Sequence, residues 1–298
     1  MCNKFTFIIQ LSFITLFGLI LSACSDSRPM SAERYEPVDA LAETIIANLS
    51  SSPDLKLIAD IDHSKLAAKT AAYMPPARVI IFSNIELEIR LLKENQLLGL
   101  DLPFKVLAYE NIQGSTSATH NNYDYLTSRY NLKSKPSLSE AHNQTYRQAL
   151  AGINNSKYRT FSNDSMNPDG IITIDSLYDF KTTIERIHLA INAQDDTIEF
   201  GDIDYQQKAA DLGEKIRPTT MILFGAPAPG AEAMRNSITL GLDAFCQKFL
   251  VWEDAEGKVH LSYNDLLAIA DRQNVDKAIA LRVIDYRLSK TFSSALTE

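Results

Sequence analysis

The chain has 298 residues, 45% of them hydrophobic and 22% charged, with a formal net charge of −8. That length and composition suit two ordinary domains with packed cores and exclude a disordered or low-complexity chain. The acidic balance, with no Lys/Arg run, excludes nucleic acid as a partner, because an acidic surface repels phosphate backbones unless it carries a segregated basic patch.

At the N-terminus, Lys4 is the one charge before Cys24, and the apolar run FTFIIQLSFITLFGLILSAC follows it. The run has the length of a signal-peptide core and ends in small residues. The competing reading is an uncleaved membrane anchor. Leu21-Ser22-Ala23-Cys24 resembles the bacterial lipobox, in which the cysteine is lipidated and becomes the new N-terminus. The resemblance implies a lipoprotein signal peptide over 1–23, a lipid (palmitate-type) anchor on Cys24 and a polar tether over 24–34. It places the chain on the membrane of the bacterial cell envelope, facing the periplasm. Ser25, rather than Asp, directly after the cysteine points to the outer membrane over the inner. With Cys2 removed and Cys24 lipidated, Cys246 alone remains, so no intramolecular disulfide can form and packed cores must supply the stability.

Beyond the tether the chain repeats itself. IADIDHSKLAA (58–68) returns as FGDIDYQQKAA (200–210). An offset of 142 pairs Asp60 with Asp202, Asp62 with Asp204, Pro76 with Pro218, Phe82 with Phe224 and Asp101 with Asp243. One residue is then inserted in the second copy, and an offset of 143 pairs Lys105 with Lys248, Glu110 with Glu253, Gly114 with Gly257 and Arg129 with Arg272. A constant offset broken once marks an internal repeat over about 31–132 and 171–275.

In chain order, VDALAETIIANL reads as a helix, 55–61 as a strand and 64–72 as an Ala-rich helix that Pro76 closes. RVIIF is a buried central strand, FKVLAYE another, and a helix lies around 123–129. Residues 137–152 read as a helix with Ser137 and Glu140 at capping-box spacing, and 154–170 as a loop. The second copy opens with the strand IITIDS (171–176) and a helix over 178–193 with Phe180, Ile184, Ile187 and Ile191 on one face. It then repeats the first, and 276–297 forms an amphipathic tail helix. The organisation is therefore domain 1 over 35–132, a helical linker and loop over 133–170, and domain 2 with the tail helix over 171–298.

DIDHSKLAA, RPTTMILFGAP, LDLPFKVLAYE and GKVHLSYND resemble the DUF302 domain, a family of unknown function, and the likeness covers both copies. It implies an α+β fold of the TATA-binding-protein-like type, an antiparallel sheet with helices on one face. Two tandem β-α-β domains would pack as a pseudo-dimer. The copies depart from the family pattern in complementary ways. The first keeps Asp62-His63, Asn84 and Leu100 to Lys105 but has Ser83 and Ile85 where the pattern has glycine and proline. The second keeps Arg217-Pro218, Phe224-Gly225 and Pro227 but has Tyr205 for the histidine and Ala226 for the asparagine. A family site is thus intact in neither copy or shared by both, and the family lends no catalytic residues.

Asp60, Asp62 and His63 are residue types that bind divalent metals. Strand alternation, however, sets Asp60 and Asp62 on one face, and Asp62, like Asp204, stands where an aspartate caps a following helix. His63 is left as a candidate in its own right, the first-copy residue best able to titrate near neutral pH. FGAPAPG (224–230) is a tight strand exit, not a phosphate loop. Lys105 and Lys248 either line a pocket or snorkel from strand ends. Cys246 reads as a core thiol. The candidate binding residues are His63, Asp60, Asn84, Lys105, Arg217, Gly225 and Lys248, with no metal and no cofactor. The expected function is a lipid-anchored envelope protein that binds a small ligand or partner protein between the copies. The alternative is an envelope enzyme, a hydrolase or metal-dependent protein, using His63 with Asp60 or Asp62. The sequence leaves open whether there is any catalysis.

Overall fold

Each half of the chain builds one five-stranded sheet. The structure, a computed structural model, describes residues 30–154, 156–159 and 170–297, with the backbone alone for 157–159. The signal segment and Cys24 lie outside the described residues.

The first half runs α1 (Ala32–Ser50), β1 (Lys56–Asp62), α2 (His63–Ala68), β2 (Ala77–Ser83), α3 (Ile85–Glu94), a 3-10 turn (Gln96–Asp101), β3 (Phe104–Glu110), β4 (Thr116–Asn121), α4 (Tyr123–Arg129), α5 (Pro136–Ala149) and β5 (Ser156–Arg159). The second runs β6 (Ile171–Asp175), α6 (Phe180–Asn192), β7 (Ile198–Asp204), α7 (Tyr205–Asp211), β8 (Thr219–Gly225), α8 (Pro227–Met234), α9 (Leu240–Asp243), β9 (Gln247–Glu253), β10 (Val259–Asn264), α10 (Leu266–Gln273) and α11 (Ile279–Thr297). The sheet orders are β1-β2-β3-β4-β5 and β6-β10-β9-β8-β7. All neighbours are antiparallel except β4 and β5, which are parallel.

The repeat seen in the sequence is a repeat of register. Lys56 faces Ser83 and Asp62 faces Arg78, while their counterparts Ile198 and Asp204 face Gly225 and Thr220. The strand irregularity between Leu57 and Ala59 recurs between Glu199 and Gly201. The Leu102–Pro103 peptide is cis, and so is its counterpart Phe245–Cys246. Asp62 accepts the Lys65 amide at 2.8 Å and Asp204 the Gln207 amide at 2.9 Å, so each is the helix cap that its position implied. Gln207 does not close a capping box; its side chain turns to Asp211.

Two features differ from the sequence reading. The helix at α5 starts at Pro136 with Lys135 as its cap residue and no side-chain cap bond, so the Ser137–Glu140 box is not formed. Proline's fixed φ suits the first helical position, so the helix starts at Pro136 and Ser137 lies inside its first turn, not at the cap. The fifth strand also has a different source in each half: β6 precedes its copy and runs antiparallel to β10, whereas β5 follows its copy and runs parallel to β4. Residues 133–170 thus supply a helix packed on α1 and an edge strand of the first sheet.

The outer face of each sheet is covered by amphipathic helices. Val38, Ala42, Ile45 and Leu49 of α1 are buried at helical spacing over β2 and β3. Leu281, Ile284, Leu288, Phe292 and Leu296 of α11 are buried in the second half against α6, α8 and β6, with Phe292 packed on both Phe224 and Phe249. Each such side chain contributes about 1.5–3 kcal/mol relative to leaving it in water. The other face is covered by the opposite half. The 3-10 turn of the first half packs on β8, β9 and β10, and α9 of the second packs on β2 and β3. Likewise α2 packs on α8, and its counterpart α7 packs on α3. The contacts are reciprocal, as in an isologous dimer, so the two domains form a pseudo-dimer within one chain.

Candidate functional site

Two features lie where the halves meet. The first is a buried charge centre made of repeat-related pairs: Asp101 and Asp243, Lys105 and Lys248, Asn121 and Asn264, Arg129 and Arg272, all buried. The 3-10 turn and α9 end at the aspartates, the central strands β3 and β9 carry the lysines, β4 and β10 the asparagines, and α4 and α10 the arginines. Arg129 donates to Asp101 Oδ2 at 2.8 Å, as does Tyr130 at 2.7 Å. Lys105 Nζ lies 3.5 Å from Asp101 and 3.8 Å from Asp243 across the boundary. Asn121 donates to Asp243 at 2.8 Å, Arg129 to Asn264 at 2.6 Å, Lys248 to the Leu100 carbonyl at 2.9 Å and Arg272 to the Tyr125 hydroxyl at 2.7 Å.

Burial alone would raise the Asp101 carboxyl, but Arg129, Lys105 and Lys248 outweigh it and hold it well below the ordinary range. Lys248 goes the other way: burial first, and then the neighbouring Lys105, push its ammonium well below the usual lysine range. Two carboxylates face two lysines and two arginines here, and one of the lysines gives way. The snorkelling reading of Lys105 and Lys248 is therefore replaced. Both are buried, because the opposite domain covers the sheet face on which their strands would otherwise meet water.

The second feature is a pocket between α2 and α8. Ile61, His63 and Leu66 come from the first half; Gly225, Gly230, Met234 and Cys246 are among those from the second, with half-buried Phe200 and Pro227 at the rim. The space is about 30 Å³, room for one or two water-sized occupants. His63 opens α2 directly after its cap, so its ring swings inward instead of following the strand. It is 7% exposed, and its Nε2 lies 3.2 Å from the Gly241 carbonyl. A carbonyl only accepts, so Nε2 carries the proton and Nδ1 is left as an acceptor. Burial pushes the imidazole down to about 4, against the opposing pull of the Gly241 carbonyl and Asp62.

The equivalent place on the other side of the pseudo-dimer is filled. Tyr205, the counterpart of His63, is fully buried, and so is Glu88, the counterpart of Gly230. Glu88 Oε1 accepts the Asn84 amide at 3.2 Å, and burial pushes its carboxyl up to about 8. Neither Glu88 Oε2 nor the Tyr205 hydroxyl has a hydrogen-bond partner among the described residues. Tyrosine to histidine and glutamate to glycine each remove volume at one spot, and the pocket is what they leave.

Of the residues singled out in the sequence, His63 and Gly225 reach this pocket, and Lys105 and Lys248 reach the charge centre. The others do not join them. Asp60 is tied to Arg78 at the domain surface, Asn84 caps α3 through the Leu87 amide, and Arg217 is held at 2.8 Å by Gln96. Asp60, Asp62 and His63 therefore do not form one cluster, and among the described residues no three His, Cys, Asp or Glu side chains could hold a metal ion. Sequence reasoning passed over Asp101, Asp243, Asn121, Asn264, Gly230 and Met234. For the aspartates the available signal was persistence of a polar residue at the repeat offset amid apolar neighbours; for the asparagines it was recurrence at the offset alone.

The family model described as "Domain of unknown function DUF302" matches residues 31–153 and again 172–292. Among curated proteins, the fluoride-specific ion channel FluC 1 of Brucella suis biovar 1 (strain 1330) is 33% identical over 106 residues, 36% of this chain and 41% of that one. FluC 1 of Brucella abortus biovar 1 (strain 9-941) is 33% identical over 106 residues, 36% of this chain and 38% of that one. The chain thus spans about two-fifths of the length of these relatives, and among its described residues no helix is long and apolar enough to cross a membrane. A solved structure, the uncharacterized conserved protein DUF302 from Bacillus stearothermophilus, matches with 17% identity and a TM-score of 0.36 over 43% of this chain and 95% of that one.

Proposed function

The chain belongs to the DUF302 family in both its halves, and on that premise we propose that it is a binding protein, lipid-anchored through Cys24 in the bacterial cell envelope, whose ligand enters the pocket between its two domains. The observation that supports this is the asymmetry of the pseudo-dimer: the pocket lined by His63 is open where its counterpart is plugged by Tyr205 and Glu88. A purely structural pseudo-dimer has no reason to keep one of two equivalent sites open at the cost of lost packing. The space of about 30 Å³ leaves room for only a few buried atoms of the ligand.

The test copies the closed side onto the open one. Gly230 lies in a helix, and a Cβ there would meet the Phe245 ring and Met234 Cε at ordinary contact distances, so the double variant His63→Tyr/Gly230→Glu is expected to fold. Wild-type protein purified from its envelope fraction should carry a bound species by native mass spectrometry or elemental analysis, and the double variant should not. Equal loading of both forms would reject the pocket. The lipid anchor is tested separately: globomycin should block maturation at Cys24, and normal processing in its presence would reject that part.

A further inference from the structure

Resting on that reading of the pocket, we propose that its ligand is one soft monovalent cation, copper(I) or its probe silver(I), held by His63 Nδ1, the Cys246 thiolate and the Met234 thioether. The three residues come from α2, the entry to β9 and the end of α8, and all line the same pocket. At the equivalent closed site the same three positions are Tyr205, Pro103 and Leu92. Divergence between the copies has thus put a donor of electrons to soft metals at three separate positions of one pocket and at none of the three on the other side.

Each donor is available. The Gly241 carbonyl engages His63 Nε2, and no bond is made by Nδ1 among the described residues. Cys246 is a free, buried cysteine. Met234 is 3% exposed, and its Cε lies 3.8 Å from where a Cβ on Gly230 would stand, next to the Phe245 ring. Thiolate, thioether and imidazole favour copper(I) over hard cations, which want carboxylate and carbonyl oxygens, and no carboxylate lines this pocket.

Charge makes the same selection. On binding, the cation takes the sulfur electron pair of Cys246, the S–H bond breaks, and the proton leaves to solvent. A monovalent cation with one thiolate is neutral, so an otherwise apolar pocket buries no net charge. A divalent ion would leave a buried positive charge, which is expensive without a counter-ion.

The experiment titrates the mature, lipid-anchored protein anaerobically with copper(I) against a chromophoric competing chelator, and in parallel with silver(I). Wild type should take up one equivalent tightly at the pocket. Met234→Leu and His63→Tyr should each weaken it at least tenfold, and Cys246→Ser should abolish it. X-ray absorption should show sulfur and nitrogen donors without oxygen. Met234→Leu and His63→Tyr leave Cys246 in place and install the residues of the closed side, so they hold the test if Cys246→Ser fails to fold. Affinity unchanged in both would put the metal on donors elsewhere and overturn the assignment, as would no uptake of either cation. If wild type ignores both cations yet carries another species that His63→Tyr/Gly230→Glu loses, the soft-cation assignment fails and the pocket reading stands.

Discussion

Arg129 and Asn264 meet across the domain boundary, the guanidinium Nη2 donating to the amide oxygen at 2.6 Å with both side chains buried. Each has its repeat counterpart in the same centre, Arg272 and Asn121, and Asn121 in turn holds Asp243. The boundary is therefore fastened by directional polar bonds as well as by apolar packing. A slide of one domain on the other would pull Asp243 away from Asn121 and Lys105, and Asn264 away from Arg129, and an uncompensated buried charge costs several kcal/mol. The same bonds fix where α2 meets α8, and so the shape of the pocket.

Asp101→Ala should accordingly destabilise the protein by about 3–5 kcal/mol in urea denaturation, because Arg129 loses its carboxylate while remaining buried. Asp101→Leu with Arg129→Met should recover much of that, since an apolar pair of similar volume avoids the charge burial. The pH sign is set by the depressed Asp101 carboxyl. The stabilisation is present above the ordinary aspartate range and is lost as pH falls through and below about 4. Acid unfolding of wild type that matched Asp101→Asn below pH 4 would show that the pairing adds nothing.

Glu88 gives the opposite slope. Its buried carboxyl stays protonated up to about 8, whereas in the unfolded chain it ionises near 4.5. Between those values the folded state holds the extra proton, so stability declines as pH rises, at up to roughly 1.4 kcal/mol per pH unit. Glu88→Gln stays neutral and fills the same space. It should flatten this decline and be more stable than wild type at pH 8, with little difference at pH 4.5. Thermal melts across that range read it directly, and parallel curves for the two forms would contradict it.

What was legible in the sequence was what recurs. The 142-residue offset carried over to strand register, to the caps at Asp62 and Asp204, and to His63 as the position where the copies part. Sidedness was not legible. Lys105 lies in a strand buried on both faces, so alternation does not say which neighbours it meets, and the neighbour that matters, Asp243, is 138 residues on. Asp60 looked like part of a metal motif because it is near His63 in sequence. In space its partner is Arg78 on the adjacent strand. Gly230 and Met234 carried no signal alone; they gain meaning only opposite Glu88 and Leu92 of the other copy.

His142 supplies an acid-side test separate from the boundary. It packs at the aromatic cluster of Phe104 and Tyr146, and its Nδ1 has no hydrogen-bond partner among the described residues. Burial first, and then His120, push its imidazole down to about 3. The folded state keeps it neutral while the unfolded chain takes up a proton below about 6.5, so this stability is present above 6.5 and is lost as pH falls towards 3. His142→Phe keeps a ring in the cluster and removes the titration. It should reduce the slope of stability against pH between 6.5 and 4, with the His63 and His120 contributions remaining. An unchanged slope would mean that His142 is protonated in the folded protein.

Gly99 packs tightly against Leu250 across the domain boundary. A Cβ on Gly99 would stand 2.6 Å from Leu250 Cδ1, and Leu250 is fully buried in β9. The reciprocal pair is looser: a Cβ on Gly241 would be 3.3 Å from Leu107 Cδ1 and 3.2 Å from the His63 ring. Gly99→Ala should therefore overpack the boundary and cost about 1–3 kcal/mol. Leu250→Val, which removes the clashing end, should restore most of it in the double variant although it is destabilising alone, a coupling that a double-mutant cycle in urea measures. Gly241→Ala should cost less stability but shift the His63 ring away from the Gly241 carbonyl, so its larger effect falls on binding at the pocket. If Gly99→Ala were the one that emptied the pocket while Gly241→Ala left it loaded, the pairing of each glycine with its facing side chain would be wrong.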